Sequence, residues 1–135
     1  MKIGEIIEKV KSLGLPPDSY VVFGAGPLAA AGLREASDID MYVTPEVIEM
    51  KKKEGWKFLD KGGKDKPLTH DVFEMHTNWD FGHGYNPLFD ELMSRAQVID
   101  GVTFASLTDV RTWKVACNRP KDLEDIVMID NYLLT

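Results

Sequence analysis

Cysteine is nearly absent from this chain. Among 135 residues there is one, Cys117, so an intrachain disulfide is excluded and a reducing compartment is expected. Long apolar runs are also absent: nothing approaches the roughly 20 residues that a membrane-spanning helix needs. The opening MKIGEIIEKVKSLG interleaves acids with apolar side chains and so lacks a signal-peptide core. A cytoplasmic protein without membrane attachment is the expectation. Positive charge is in deficit, with 16 basic against 22 acidic residues and a net charge of -6. That argues against coating nucleic acid, where affinity comes from lysine and arginine displacing counterions. No repeat, low-complexity tract or interdomain linker is visible, and the spacing of His70 and His83 to each other or to Cys117 fits no zinc motif.

What is present reads as one soluble globular domain over 1–135, with 44% hydrophobic and 28% charged residues. The charge is uneven. Between Lys51 and Lys66 seven lysines stand against Glu54, Asp60 and Asp65, either as a solvated hairpin or as a phosphate-facing patch. Cys117 lies within an apolar helical pattern and reads as a small core residue.

The chain opens with an amphipathic helix, Ile3, Ile6, Ile7, Val10 and Leu13 recurring at helical spacing until Gly14 and Pro16-Pro17 end it. Tyr20 to Phe23 predicts a buried strand, Pro27 to Leu33 a small-residue helix and Asp38 to Val43 a second strand. A helix opening at Thr44-Pro45 and ending at Gly55 comes next. Strands are expected over Trp56 to Leu59 and Asp71 to Trp79, with a tight turn at Lys61-Gly62-Gly63-Lys64 between them. A loop over 81–87 leads to a short helix around Leu88 to Ala96. Asp100-Gly101 then predicts a two-residue hairpin turn, and helices over Leu107 to Cys117 and Asp122 to Leu134 close the chain. This order predicts an α+β domain: a mixed sheet, a crossover connection between its first two strands, helices packed mainly on one side and two C-terminal helices.

The residues that suggest chemistry begin at the glycine turn. Gly24-Ala25-Gly26 joins a strand to a helix and can offer backbone N–H groups to an anion. Asp38 and Asp40 stand two apart on a strand and share a face; carboxylates that close repel unless a cation lies between them, and a hard ion such as Mg2+ suits such oxygen ligands. Glu74 is a third acid, set between apolar Phe73 and Met75, and His76 shares its face as a pocket-lining or a structural histidine. Trp79 and Tyr85 read more readily as core than as a base-stacking platform.

This assembly resembles the nucleotidyltransferase superfamily of DNA polymerase β-like fold, especially small members related to AbiEii-type toxins and to aminoglycoside or lincosamide nucleotidyltransferases. Phe23-Gly24-Ala25, Ser37-Asp38-Ile39-Asp40 and Val72-Phe73-Glu74-Met75-His76 stand where that family carries its glycine motif, its Asp-apolar-Asp and its third acid. Lys114 and the run Arg119-Pro120-Lys121-Asp122-Leu123-Glu124-Asp125-Ile126 are similar to its closing segment. The resemblance runs from Tyr20 to near the end. It departs at Ala25, where the family has Gly or Ser and where a hydroxyl able to bind a terminal phosphate is lacking.

The resemblance implies a nucleotidyltransferase that uses Mg2+ or Mn2+ to move a nucleoside monophosphate from a nucleoside triphosphate to an acceptor hydroxyl. The acceptor would be a small molecule, a protein or an RNA end. Asp38, Asp40 and Glu74 would bind the metals and act in catalysis. Gly24, Ala25, Gly26, Ser37 and Lys114 would hold the nucleotide, although Lys114 also reads as a surface lysine. Asp122 and Asp125 read as helix N-terminal charges with Arg119 as partner. The alternative is an inactive domain of the same fold that binds a nucleotide or a protein partner, as in a toxin-antitoxin or regulatory pair. A phosphohydrolase with Asp38 as nucleophile ranks below both, because the acids open their strand after a polar loop.

Overall fold

The computed structural model describes residues 1–134. Seven strands form one mixed sheet: β1 (Tyr20–Phe23), β2 (Ile39–Val43), β3 (Lys57–Phe58), β4 (Leu68–His70), β5 (Phe73–His76), β6 (Gln97–Ile99) and β7 (Val102–Phe104), in the order β3-β4-β5-β2-β1-β7-β6. The helices are α1 (Ile3–Ser12), α2 (Gly26–Ala30), α3 (Pro45–Lys53), α4 (Phe89–Arg95), α5 (Leu107–Cys117) and α6 (Pro120–Leu134). The α+β class, the mixed sheet and the paired C-terminal helices are as the sequence predicts.

Three features differ from expectation. The first two strands pair antiparallel, Tyr20 against Val43 through Phe23 against Asp40, rather than through a crossover. With only five residues, α2 leaves the chain near the end of the sheet where β1 stopped, so β2 starts there and runs back. The parallel pairs are instead β2 with β5 and β1 with β7. A short strand, β4, also lies where no strand is expected, pairing antiparallel with both β3 and β5.

The third difference is that helices cover both faces of the sheet. One apolar cluster joins Tyr20 and Val22 of β1 to Ile6 and Val10 of α1 and to Val47 and Ile48 of α3. The other joins Val21 and Phe23 of the same strand to Leu92 of α4, Val110 of α5 and Ile129 of α6. All four residues of β1 are buried, as a strand with two covered faces requires. Val21 and Val22 thus serve opposite clusters, each burial contributing about 1.5–3 kcal/mol.

Local signals explain the ends of the elements. Asp100 and Gly101 have φ of 49° and 81°, the left-handed pair that closes a two-residue turn between β6 and β7. Ser106 caps α5 by accepting from the Asp109 backbone N–H at 3.1 Å. That helix stops at Asn118 in the left-handed region, with φ 52°. Pro120 then starts α6, whose buried Asp122, Asp125 and Ile129 share one helical stripe. Among the described residues no helix is long and apolar enough to cross a membrane.

Candidate active site

The second face of the sheet ends in an open pocket of about 370 Å³ beside the end of β1, and Gly24, Ala25, Ser37, Asp38, Asp40 and Glu74 all lie on its wall. Asp40 is at the centre. It pairs with Phe23 on one side and with Glu74 on the other, so the two carboxylates are direct neighbours across parallel strands. Asp38 precedes β2 and is exposed.

Gly24 makes room for this. Its φ is +63°, and a Cβ there would lie 2.3 Å from Asp40 Oδ2. The strand therefore ends in the one residue type that lets a carboxylate lie against the turn. Gly26 has a different job from the one expected. It is buried, a Cβ would lie 2.4 Å from Val22 Cγ1, and it does not line the pocket. Its glycine is required by packing of α2 on β1. Five residues also align too few peptide dipoles to make a strong anion site at the end of α2.

The acids are electrically unbalanced. Burial, then the charges of Glu74 and Asp38, push the Asp40 carboxyl up to about 7, and Lys61 only partly opposes them. Lys61 Nζ donates to Glu74 Oε1 at 2.7 Å. Burial disfavours that ammonium, but the hydrogen bond and charge of Glu74, with Asp65 and Asp40, outweigh it and hold its pKa above the ordinary lysine value. His76 lies on the same face, its Nε2 3.9 Å from Asp65 Oδ1. Burial pushes its pKa down to about 4, so at neutral pH the imidazole is uncharged.

Across the pocket stands a second charged group of the opposite character. Lys114, expected as a phosphate contact or a surface lysine, is 3% exposed, which rules out the surface reading. It reaches Asp125 at 2.8 Å and Asp122 at 3.4 Å. Arg34 adds a two-pronged bond to Asp125 at 2.8 and 2.9 Å. Arg119 adds one to Asp122 at 2.7 and 3.0 Å. Burial would raise both aspartates, but Arg119 and Lys114 at Asp122, and Arg34 and Lys114 at Asp125, hold them below the usual carboxylate range. They are a buried ion network rather than simple helix-end charges.

Sequence reasoning missed Arg34 and Trp113 on the pocket wall and took Lys61 only as part of a lysine-rich stretch, while its pairing of Arg119 with Asp122 is found. One signal was available. Asp122, Asp125 and Ile129 recur at i, i+3, i+7, the core stripe of α6, while Leu123 and Val127 face outward at 53% and 58% exposure. Cys117 lines the pocket and is half-buried rather than in the core, and burial raises its thiol pKa, away from reactivity. Trp79 is 2% exposed, packed against Phe23 at 4.7 Å between ring centres. The indole N–H groups of Trp79 and Trp113 are buried without a hydrogen-bond partner. Tyr85 is half-buried, its hydroxyl directed to the Asp109 carbonyl at 3.4 Å.

The donor set consists of carboxylate oxygens, which fits a hard cation. Among the described residues, no group of three or more His, Cys, Asp or Glu is gathered into a ready-made ion cage. Lys61, among the described residues, is paired with one of the three acids, Glu74. Compared with protein-family models, curated proteins and solved structures, the chain matches none.

Proposed function

We propose that the protein is a metal-dependent nucleotidyltransferase of the DNA polymerase β-like kind. The observation that carries this is the pairing of Asp40 with Glu74 across β2 and β5, beside Asp38 and the Gly24 turn. Burial first, then the charges of Glu74 and Asp38, hold Asp40 up to about 7, and a cation bound there would relieve the second of these. Asp38, Asp40 and Glu74 would hold Mg2+ or Mn2+. Bound there, the metal would screen the acids, lower the pKa of an acceptor hydroxyl and stabilise charge on the phosphates.

The chain's own part follows from position. Gly24 and Ala25 leave the floor of the pocket clear at the end of β1. Ser37, exposed beside Asp38, offers a hydroxyl that Ala25 lacks. Glu74 accepts the acceptor's proton. The acceptor oxygen bonds to the α-phosphorus, the bond from that phosphorus to the bridging oxygen breaks, and pyrophosphate leaves. Lys114 stays within its ion network and positions α5 and α6.

The measurement is pyrophosphate release from a mixture of nucleoside triphosphates with Mg2+ and a panel of hydroxyl acceptors. Release that disappears in Asp38→Asn/Asp40→Asn is the expected result. Ala25 and the engagement of Glu74 by Lys61 favour a second reading, a nucleotide-binding or partner-binding domain of the same fold. Tight nucleotide binding without turnover across the whole panel would select it.

A further inference from the structure

The pocket has a wall that the acids do not explain. Between β3 and β4 the chain makes a turn in which Lys61 N–H donates to the Asp65 carbonyl at 2.9 Å and Asp65 N–H to the Gly62 carbonyl at 3.0 Å. Gly62 and Gly63 have φ of +106° and +57°, with open space where a Cβ would be. Backbone conformation, not crowding, demands glycine there, and the tip between the two lysines is bare. Lys61 reaches Glu74 at 2.7 Å and Lys64 reaches Asp80 at 3.1 Å. The turn is thus tied to Glu74 of the site by one ammonium group and to Asp80 outside it by another.

The two charged walls hold their cations differently. Arg34, Lys114 and Arg119 are tied to Asp122 and Asp125, which are nearly inaccessible. Lys61, 39% exposed, is no more open than Arg34 or Arg119 at 36% and 42%, but it and Lys64 hold single partners, Glu74 and Asp80, that are 12% and 37% exposed. Their turn hangs from β3, a two-residue edge strand paired only with β4 and exposed along its length. Lifting it breaks few buried contacts. Six Lys or Arg and four Asp or Glu line the pocket, and Arg34, Lys114, Arg119 and Lys64 are paired with acids outside that lining.

We propose that Lys61-Gly62-Gly63-Lys64 is the polyphosphate-binding element of this pocket, and that Lys61 changes partner when ligand arrives, yielding Glu74 to a divalent cation and moving with Lys64 onto the β- and γ-phosphates. This rests on the metal-nucleotide reading of the acids. At 2.7 Å the ammonium takes up a carboxylate oxygen that a hard cation needs. Metal alone must therefore displace Lys61, whereas metal with triphosphate supplies the displaced ammonium with a new anion. The two bind cooperatively. Gly62 N–H is already held by Asp60 Oδ1 at 2.9 Å, and the open space at Gly63 is what lets a phosphate oxygen approach the backbone there.

The test compares wild type with Lys61→Met, Lys64→Met and Lys66→Met, the last an exposed lysine outside the pocket. Binding of Mn2+ alone is followed by electron paramagnetic resonance of the free ion. Binding of inorganic tripolyphosphate with Mn2+ in excess is followed by the fluorescence of Trp79 and Trp113, which line the same pocket. Lys61→Met is expected to bind Mn2+ several-fold more tightly and tripolyphosphate about tenfold more weakly, the loss of one charge-assisted contact. Lys64→Met should weaken tripolyphosphate alone, and Lys66→Met should alter neither. A general loosening of the fold weakens both ligands together, so the opposite signs are diagnostic. Unchanged affinities, or changes of one sign, in Lys61→Met would overturn the exchange. A wild type that binds neither probe would overturn the metal-nucleotide reading itself, and the exchange with it.

Discussion

Two groups of carboxylates, one lining the pocket and one behind the cations that line it, have been treated in opposite ways. Asp122 and Asp125 are nearly inaccessible, yet three cations hold them ionised. Asp40 is pushed up to about 7, first by burial and then by the charges of Glu74 and Asp38, with only Lys61 opposing. Burial opposes ionisation in both places. At Asp122 and Asp125 the fold supplies counter-charge that outweighs burial, and at Asp40 it does not. Where it does, the carboxylates hold α5, α6 and the Arg34 loop in place; where it does not, the charge is left for a ligand to balance.

The largest expected effect comes from breaking the balanced group. Lys114→Met removes one cation from two buried aspartates and should cost about 3 kcal/mol in urea unfolding. A loss below the error of the measurement would mean that Arg34 and Arg119 suffice. Asp40→Asn tests the unbalanced group through pH. Because the folded pKa of Asp40 is raised to about 7, stability falls as pH rises from about 4 to 7. His76 acts in the opposite sense: its folded pKa is lowered to about 4, so stability rises with pH up to the ordinary histidine value near 6.5. The two slopes offset each other in the wild type. Asp40→Asn removes the falling one, so its advantage over wild type should grow across pH 4 to 7 to the order of 2 kcal/mol. A difference that does not vary with pH would show that Asp40 titrates normally. Asp122 and Asp125 supply stability that is present above the ordinary carboxylate pKa and lost as pH falls through their lowered values.

A smaller change probes the geometry between the groups. Gly24→Ala forces a left-handed φ on a residue with a Cβ and drives that atom into Asp40 Oδ2. A cost of about 1.5 kcal/mol is expected, together with weaker Mn2+ binding as the carboxylate moves off Glu74. Gly62→Ala has the backbone strain without the clash and should leave Mn2+ binding intact. Smallest of all, Lys9→Ala breaks the surface pair with Asp71 at 2.9 Å, and no measurable change in the unfolding midpoint is expected.

Much of the fold was legible because it depends on neighbours in sequence. β1 matches its apolar run residue for residue, and α1, α5, the Asp100-Gly101 turn and the start of α3 lie where periodicity and end signals place them. The facing of the acids along their own strands was legible for the same reason, though the pairing that brings Asp40 beside Glu74 was not. Alternation puts Asp40 with Tyr42, and Glu74 with His76, on one side of their strands. Gly24, ahead of the acid pair in sequence, marked the turn that accommodates Asp40.

What stayed hidden depends on partners distant in the chain. β4 is three residues long and carries no pattern of its own; it exists because β3 and β5 flank it. The antiparallel pairing of β1 with β2 followed from how little space α2 takes, which no local propensity states. The roles of Lys114 and Lys61 were decided by residues remote from each. A lysine on an amphipathic helix looks the same in sequence whether it faces water or two aspartates, and a lysine in a glycine turn looks the same whether it is solvated or bound to Glu74. The sequence alone determined the strands and helices and the acids they carry, because those follow from local spacing and side-chain chemistry. Only the tertiary structure decided which charges are neutralised within the protein and which remain for a ligand, because neutralisation is a matter of distance in space.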